Sequence, residues 1–128
     1  MSEALRGVIV SHAALAEALV KAVGAITGLA DALVAVSNDG CDAEALSRRL
    51  TDAVGGHPAV LFIDLPGGSC FTSSLRQVRG EGHANLAVVT GVNLAMLLDF
   101  VFHRDVTPAE AARRAAEAGG RAIRVPAA

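Results

Sequence analysis

The 128-residue chain has no tryptophan and no tyrosine; its four aromatics are Phe62, Phe71, Phe100 and Phe102. Platforms on which bases or sugar rings stack are therefore scarce. Basic charge is short as well. Eleven Lys and Arg stand against thirteen Asp and Glu, for a net charge of -2. The arginines are scattered, whereas a nucleic-acid binder needs a basic face, so that class is excluded. The two cysteines, Cys41 and Cys70, form neither a C-x-x-C nor a metal-ligand spacing. The expectation from cysteine usage is a reduced, cytoplasmic protein. Long apolar runs are missing too. Mean hydropathy is high at +0.46, but the longest uncharged stretch, residues 84–98, is interrupted by Asn85, Thr90, Gly91 and Asn93. It falls short of the roughly 20 residues of a membrane span. Glu3 and Arg6 precede a short apolar run without the layout of a signal peptide. Hydrophobic residues at 52% and charged residues at 19% exclude disorder. The length suits one domain covering residues 1–128.

Apolar segments alternate in period. Gly7-Val8-Ile9-Val10 is a β-prone run. Leu15, Leu19, Val23 and Ile26 recur at helical spacing, with Glu17 and Lys21 an (i, i+4) pair on another face. Residues 32–36 form a second strand candidate, closed by the turn cluster Ser37-Asn38-Asp39-Gly40. Leu46, Leu50 and Val54 mark a second helix, ended by Gly55-Gly56. Ala59-Val60-Leu61-Phe62-Ile63 is the clearest strand. Phe71, Leu75 and Val78 give a third helix, residues 86–89 a fourth strand, and Leu94, Leu97, Leu98 and Val101 a fourth helix. Thr107-Pro108-Ala109-Glu110 reads as a capping box opening a fifth helix, closed by Gly119-Gly120. Residues 121–125 are a candidate last strand. Strands apolar on both faces need helices on both sides. The predicted fold is therefore α/β, a doubly wound, mostly parallel four-stranded sheet, and the order expected for it is 2-1-3-4, the commonest for a domain of this size.

In such a sheet, sites form beyond the carboxyl ends of strands, where the winding reverses, here between the first and third strands. Ser11-His12 follows the first. Asp64, then Pro66-Gly67-Gly68-Ser69, follows the third. A histidine, a carboxylate and a Gly-Gly-Ser turn leading into a helix suit phosphoryl transfer. Neutral imidazole is a nucleophile at physiological pH, and a carboxylate on one ring nitrogen leaves the other free to attack. Glycines let backbone N–H groups approach phosphate oxygens at a helix start. Ser11 and Ser69 could add hydroxyl donors. The chain has no G-x-x-x-x-G-K-[ST] and no G-x-G-x-x-G. A receiver domain would want an acidic pair after the first strand and a late lysine, but the only lysine is Lys21.

At these residues the chain resembles the IIA component of the mannose-family bacterial phosphotransferase system (PTS). The likeness rests on Gly7-Val8-Ile9-Val10-Ser11-His12, on Asp64-Leu65-Pro66-Gly67-Gly68-Ser69 and on Gly91-Val92-Asn93-Leu94-Ala95-Met96-Leu97. It implies a phosphohistidine carrier that takes a phosphoryl group from HPr and passes it to a IIB protein. His12 would be phosphorylated on Nε2, with Asp64 orienting Nδ1–H and Ser11, Gly67, Gly68 and Ser69 around the phosphate. It also implies a homodimer joined by the strand at residues 121–125. Peripheral contact with a membrane permease stays open. The chain departs from the family pattern at Cys70-Phe71-Thr72, where Pro-x-Asn is common, at Ala95 in place of Pro, and at Ala13 in place of Gly.

Two other roles fit the same residues: a regulatory module whose phosphorylation state a partner reads, and the phosphoryl donor of a dihydroxyacetone kinase. His57, His83 and His103 are read as solvated, Cys41 and Cys70 as small packed residues, and Arg76 and Arg79 as an outer helix face. Asn93 either holds a turn or lines the crevice. Phe100 and Phe102 are read as core or dimer contacts.

Overall fold

The computed structural model describes residues 4–80 and 85–127, so His83 lies outside the described residues. Four strands alternate with five helices: β1 (Arg6–Ser11), α1 (Leu15–Thr27), β2 (Leu33–Ser37), α2 (Ala43–Val54), β3 (Ala59–Ile63), α3 (Gly68–Arg79), β4 (Leu86–Thr90), α4 (Leu94–Val101) and α5 (Pro108–Arg121). A single 3₁₀ turn, Ala30–Ala32, leads into β2. All strand pairs are parallel, in the order β2-β1-β3-β4. This is the predicted α/β fold and strand order.

Period-two alternation divides the sheet into two apolar faces. Ile9, Val60, Phe62 and Val89 pack under α1, α4 and α5, against Val23, Leu97, Phe100, Ala111 and Ala115. Val8, Val10, Leu61 and Ile63 pack under α2 and α3, against Leu46, Leu50 and Val54. β1 and β3, central in the sheet, are buried on both faces. Gly7 makes one close approach possible. A Cβ there would lie 2.7 Å from Leu33 Cδ2 and 2.8 Å from Phe100 Cε2. The Phe100 ring occupies that space and meets Phe62 edge-on, centroids 5.1 Å apart.

Local chemistry sets the helix ends. Asp42 caps α2 by accepting from Ala45 N at 2.8 Å, and Gly55 closes it in the left-handed conformation. Asn93 caps α4 through Met96 N at 3.0 Å, and Thr107 caps α5 through Glu110 N at 3.2 Å. Asn93 also donates to Gly119 O, so its role is to join α4 to α5.

Three expectations need correction. In α1 the buried residues are Ala16 and Val23, while Leu15 and Ile26 are exposed. In α3 the buried residues are Cys70, Ser73, Ser74 and Gln77, and Phe71, Leu75 and Val78 are only half-buried. Gly119-Gly120 does not close α5, which runs on to Arg121. Gly119 is there for packing: a Cβ would lie 2.5 Å from Met96 Cγ. Residues 121–125 pair with none of the described strands of their own chain, and Ile123 and Val125 stand exposed. A strand exists only against a partner strand. Phe100 is core, whereas Phe102 is exposed. Among the described residues no helix is long and apolar enough to cross a membrane.

Candidate functional site

The site is built where the carboxyl ends of β1 and β3 lie side by side, with Val10 in register with Ile63. Main-chain bonds join the connections leaving this end. Asp64 N donates to Val10 O, Val92 N to Ile63 O, and Asn38 N to Ser11 O. Strand direction therefore delivers His12 and Asp64 to one crevice from positions 52 residues apart in the chain.

Asp64 holds His12 twice through one atom. Its Oδ2 lies 2.8 Å from His12 Nδ1 and accepts the His12 backbone N–H at 2.9 Å. Its Oδ1 accepts Leu65 N at 3.0 Å. Burial works to raise the Asp64 pKa. The His12 backbone and ring, with Leu65 N–H behind them, outweigh it and hold the carboxyl below its ordinary value. An ionised carboxylate only accepts, so the ring proton belongs on Nδ1 and the lone pair on Nε2. The His12 side chain is 48% exposed and that of Asp64 9%. The His12 ring faces solvent while the carboxylate bonded to it is held inside.

α3 begins beside this pair. Its N-cap is Gly67, in an extended conformation, and no side chain caps it. Gly68 has φ +84°, a left-handed value natural to glycine. Gly67, Gly68 and Ser69 are exposed, and the first turn contains no acid. The free N–H groups and the dipole of this helix start favour an anion. Cys70, the third residue of α3, is buried, and burial followed by the charge of Asp64 pushes its thiol pKa up. A ring nitrogen of His12, a carboxylate oxygen of Asp64 and Cys70 Sγ all lie within 4.8 Å of one another. Among the described residues this is the one group whose donors could hold a metal ion.

Ser11 is in a different position from the other residues singled out. It is fully buried, and its hydroxyl accepts Ala16 N at 2.8 Å and lies 3.3 Å from His12 O. The hydroxyl thus serves the start of α1. His57 and His103 lie away from the crevice: His57 follows α2, and His103 bonds to Asp99 at the far end of α4.

Two residues support the His12 loop in ways the sequence did not announce. Ala13 has φ +52°, unique in sign among the described non-glycine residues. Ser37, in register with Ser11 at the end of β2, donates to Ala13 O at 2.8 Å. It braces the His12 loop from the neighbouring strand. Its signal was its place as the last residue of β2, level with Ser11.

A family model described as the PTS system fructose IIA component matches residues 7–117. The fold is similar to a phosphotransferase system component EIIA from Streptococcus agalactiae, with TM-score 0.87, 19% identity, and 94% of this chain and 96% of that one covered. It is also similar to a mannose/sorbose-specific IIA subunit from Enterococcus faecalis, with TM-score 0.84, 22% identity, and 98% and 97% covered. A PTS IIA protein associated with the fucose utilization operon of Streptococcus pneumoniae aligns with TM-score 0.73 at 17% identity, with 97% and 96% covered. At these identities the likeness is one of fold. No match is found among curated proteins.

Proposed function

The chain belongs to the mannose-family IIA components of the sugar phosphotransferase system, and from that premise we propose that His12 is its phosphoryl acceptor. The observation that carries this reading is the bond between His12 Nδ1 and Asp64 Oδ2, at 2.8 Å, beside an uncapped helix start. Phosphohistidine of HPr supplies the phosphoryl group. A bond forms between His12 Nε2 and phosphorus as the donor's N–P bond breaks, and the electron pair returns to the donor ring. The proton stays on Nδ1, and Asp64 balances the positive charge that develops on the ring. The N–H groups of Gly68 and Ser69 and the Ser69 hydroxyl take the phosphoryl oxygens. Ser11 supports the loop from within. A IIB protein then accepts the group by the reverse movement. Neither step calls for a metal or an organic cofactor, because the donor is already activated.

Leu15 and Leu65 are large, exposed apolar residues next to the site, one at the start of α1 and one directly after Asp64. They give HPr and IIB an apolar rim around a charged centre. The chain works in the cytoplasm as a homodimer in this reading. Incubation with phosphorylated HPr is expected to add one acid-labile, base-stable phosphate per chain. His12→Ala abolishes it. Label that persists in this variant, or that appears on Asp64, overturns the assignment.

A further inference from the structure

Cys70 is where the chain departs from the Gly-Gly-Ser-Pro pattern of its family, and it places a thiol beside the two residues assigned to phosphoryl transfer. We propose that His12, Asp64 and Cys70 form an inhibitory site for a thiophilic divalent cation of the zinc type.

The donor set argues for that class. Imidazole, carboxylate and thiolate together select zinc or cobalt over magnesium or calcium, which prefer oxygen alone. Zinc bonds of about 2.0–2.3 Å in a tetrahedron set ligand atoms roughly 3.3–3.8 Å apart. The donors lie within 4.8 Å of one another, on either side of that spacing: Cys70 Sγ has to draw in, and where Nδ1 is the ligand its 2.8 Å hydrogen bond to Asp64 Oδ2 opens to admit the ion. The backbone N–H groups of His12 and Leu65 keep their bonds to Asp64 and orient the carboxylate as an outer shell. The exposed side of His12 leaves the fourth position to water.

On binding, the hydrated ion gives up water ligands in exchange for the imidazole, the carboxylate and the thiolate, and the Cys70 thiol releases its proton to solvent. If Nδ1 is the ligand, its proton moves to Nε2, and the lone pair that attacks phosphorus is gone. If Nε2 is the ligand, the lone pair is occupied directly. Either way the loaded protein accepts no phosphoryl group; this inhibitory half rests on the His12 reading above.

Cobalt titration of the reduced full-length chain tests the site without reference to transfer. The expected result is one ion per chain, with a near-ultraviolet thiolate-to-cobalt band. That band disappears in Cys70→Ala and persists in Cys41→Ala. His12→Ala, at a half-exposed position, weakens binding at least tenfold and keeps the test decisive should Cys70→Ala not fold. No binding, a spectrum without the thiolate band, or a band that follows Cys41 overturns the proposal. In a second arm, stoichiometric zinc slows phosphorylation by HPr at least tenfold and a chelator restores it. Unaltered phosphorylation of a zinc-loaded chain overturns the inhibitory role. A metal-free chain that HPr does not phosphorylate sinks the phosphocarrier reading and, with it, the inhibitory role, while the cobalt spectrum still decides the metal site.

Discussion

One oxygen of Asp64 accepts from both the ring and the backbone of His12, so exchanging it for an amide disturbs two bonds at once. Asp64→Asn is expected to fold and to slow phosphoryl transfer by about 100-fold or more, the scale seen when tautomer-setting carboxylates are lost. Its stability effect has a pH signature. The Asp64 carboxyl lies below its ordinary value in the fold. Its stabilising contribution is therefore complete above the unfolded value of about 3.9 and fades as pH falls through the lower, folded value. Urea melts of wild type and variant should differ at neutral pH and converge in acid; a gap independent of pH, or wild-type transfer rates, reduces Asp64 to a turn residue. Ala13 is the opposite case, a residue whose backbone resists its place. With φ +52° it holds a conformation costing an L-residue about 1–2 kcal/mol. Part of that gain is offset by the freedom glycine has when unfolded, so Ala13→Gly is expected to stabilise the chain by about 0.5–1 kcal/mol. Chemical denaturation measures it, and a destabilised variant would show that Ala13 is not strained. The positions of His12 and Asp64 were legible in the sequence because each stands at the end of an apolar run, Asp64 directly after Ile63 and His12 one residue beyond Val10, where a strand must end. The inward turn of the Ser11 hydroxyl was not. It depends on how α1 starts, which no residue near Ser11 encodes by itself.

At the scale of elements, legibility followed the source of burial. β3 and α4 were placed from the sequence because their own apolar residues drive them into the core. α3 misled, because the seam it forms with α2 is polar. Gln77 Nε2 donates to Thr51 Oγ1 at 3.1 Å and to Ser47 O at 3.3 Å, so buried Gln77 finds its partners 26 to 30 residues away. No local pattern announces such a pairing. α1 misled for a different reason: the small Ala16 lies inside while the larger Leu15 and Ile26 lie outside. β1 and α4 are coupled through Gly7, whose missing side chain admits the Phe100 ring. Gly7→Ala forces that ring off Phe62 or displaces Leu33 and is expected to cost about 1–3 kcal/mol. Adding Phe100→Leu should recover part of the loss. Two single-variant effects that simply add would mean that the glycine serves some other purpose.

For the whole molecule, the parallel sheet covered on both sides followed from segments apolar on both faces, and its strand order is the common one for a domain of this size; the fate of the C-terminus was not legible, because a strand's partner can belong to another chain. Beyond α5, Ile123 and Val125 are exposed, 76% and 97%, in a segment with no sheet partner among the described residues. Exchange of this segment onto a second copy's sheet edge would cover them. Light scattering at micromolar concentration is expected to report twice the chain mass. Since α5 runs to Arg121, a chain ending at Ala122 keeps its helices and should dissociate more readily; a monomeric full-length protein, or an equally tight truncated dimer, refutes the exchange. The stitched rim of the sheet carries a different consequence. The amides of Asn38, Asp64 and Val92 belong to connections, yet each donates to the carbonyl of a central strand, Ser11, Val10 or Ile63. In deuterated solvent these loop amides should therefore exchange on the slow clock of the sheet, each opening only when the strands it ties together separate: β1 from β2 for Asn38, β1 from β3 for Asp64, and β3 from β4 for Val92.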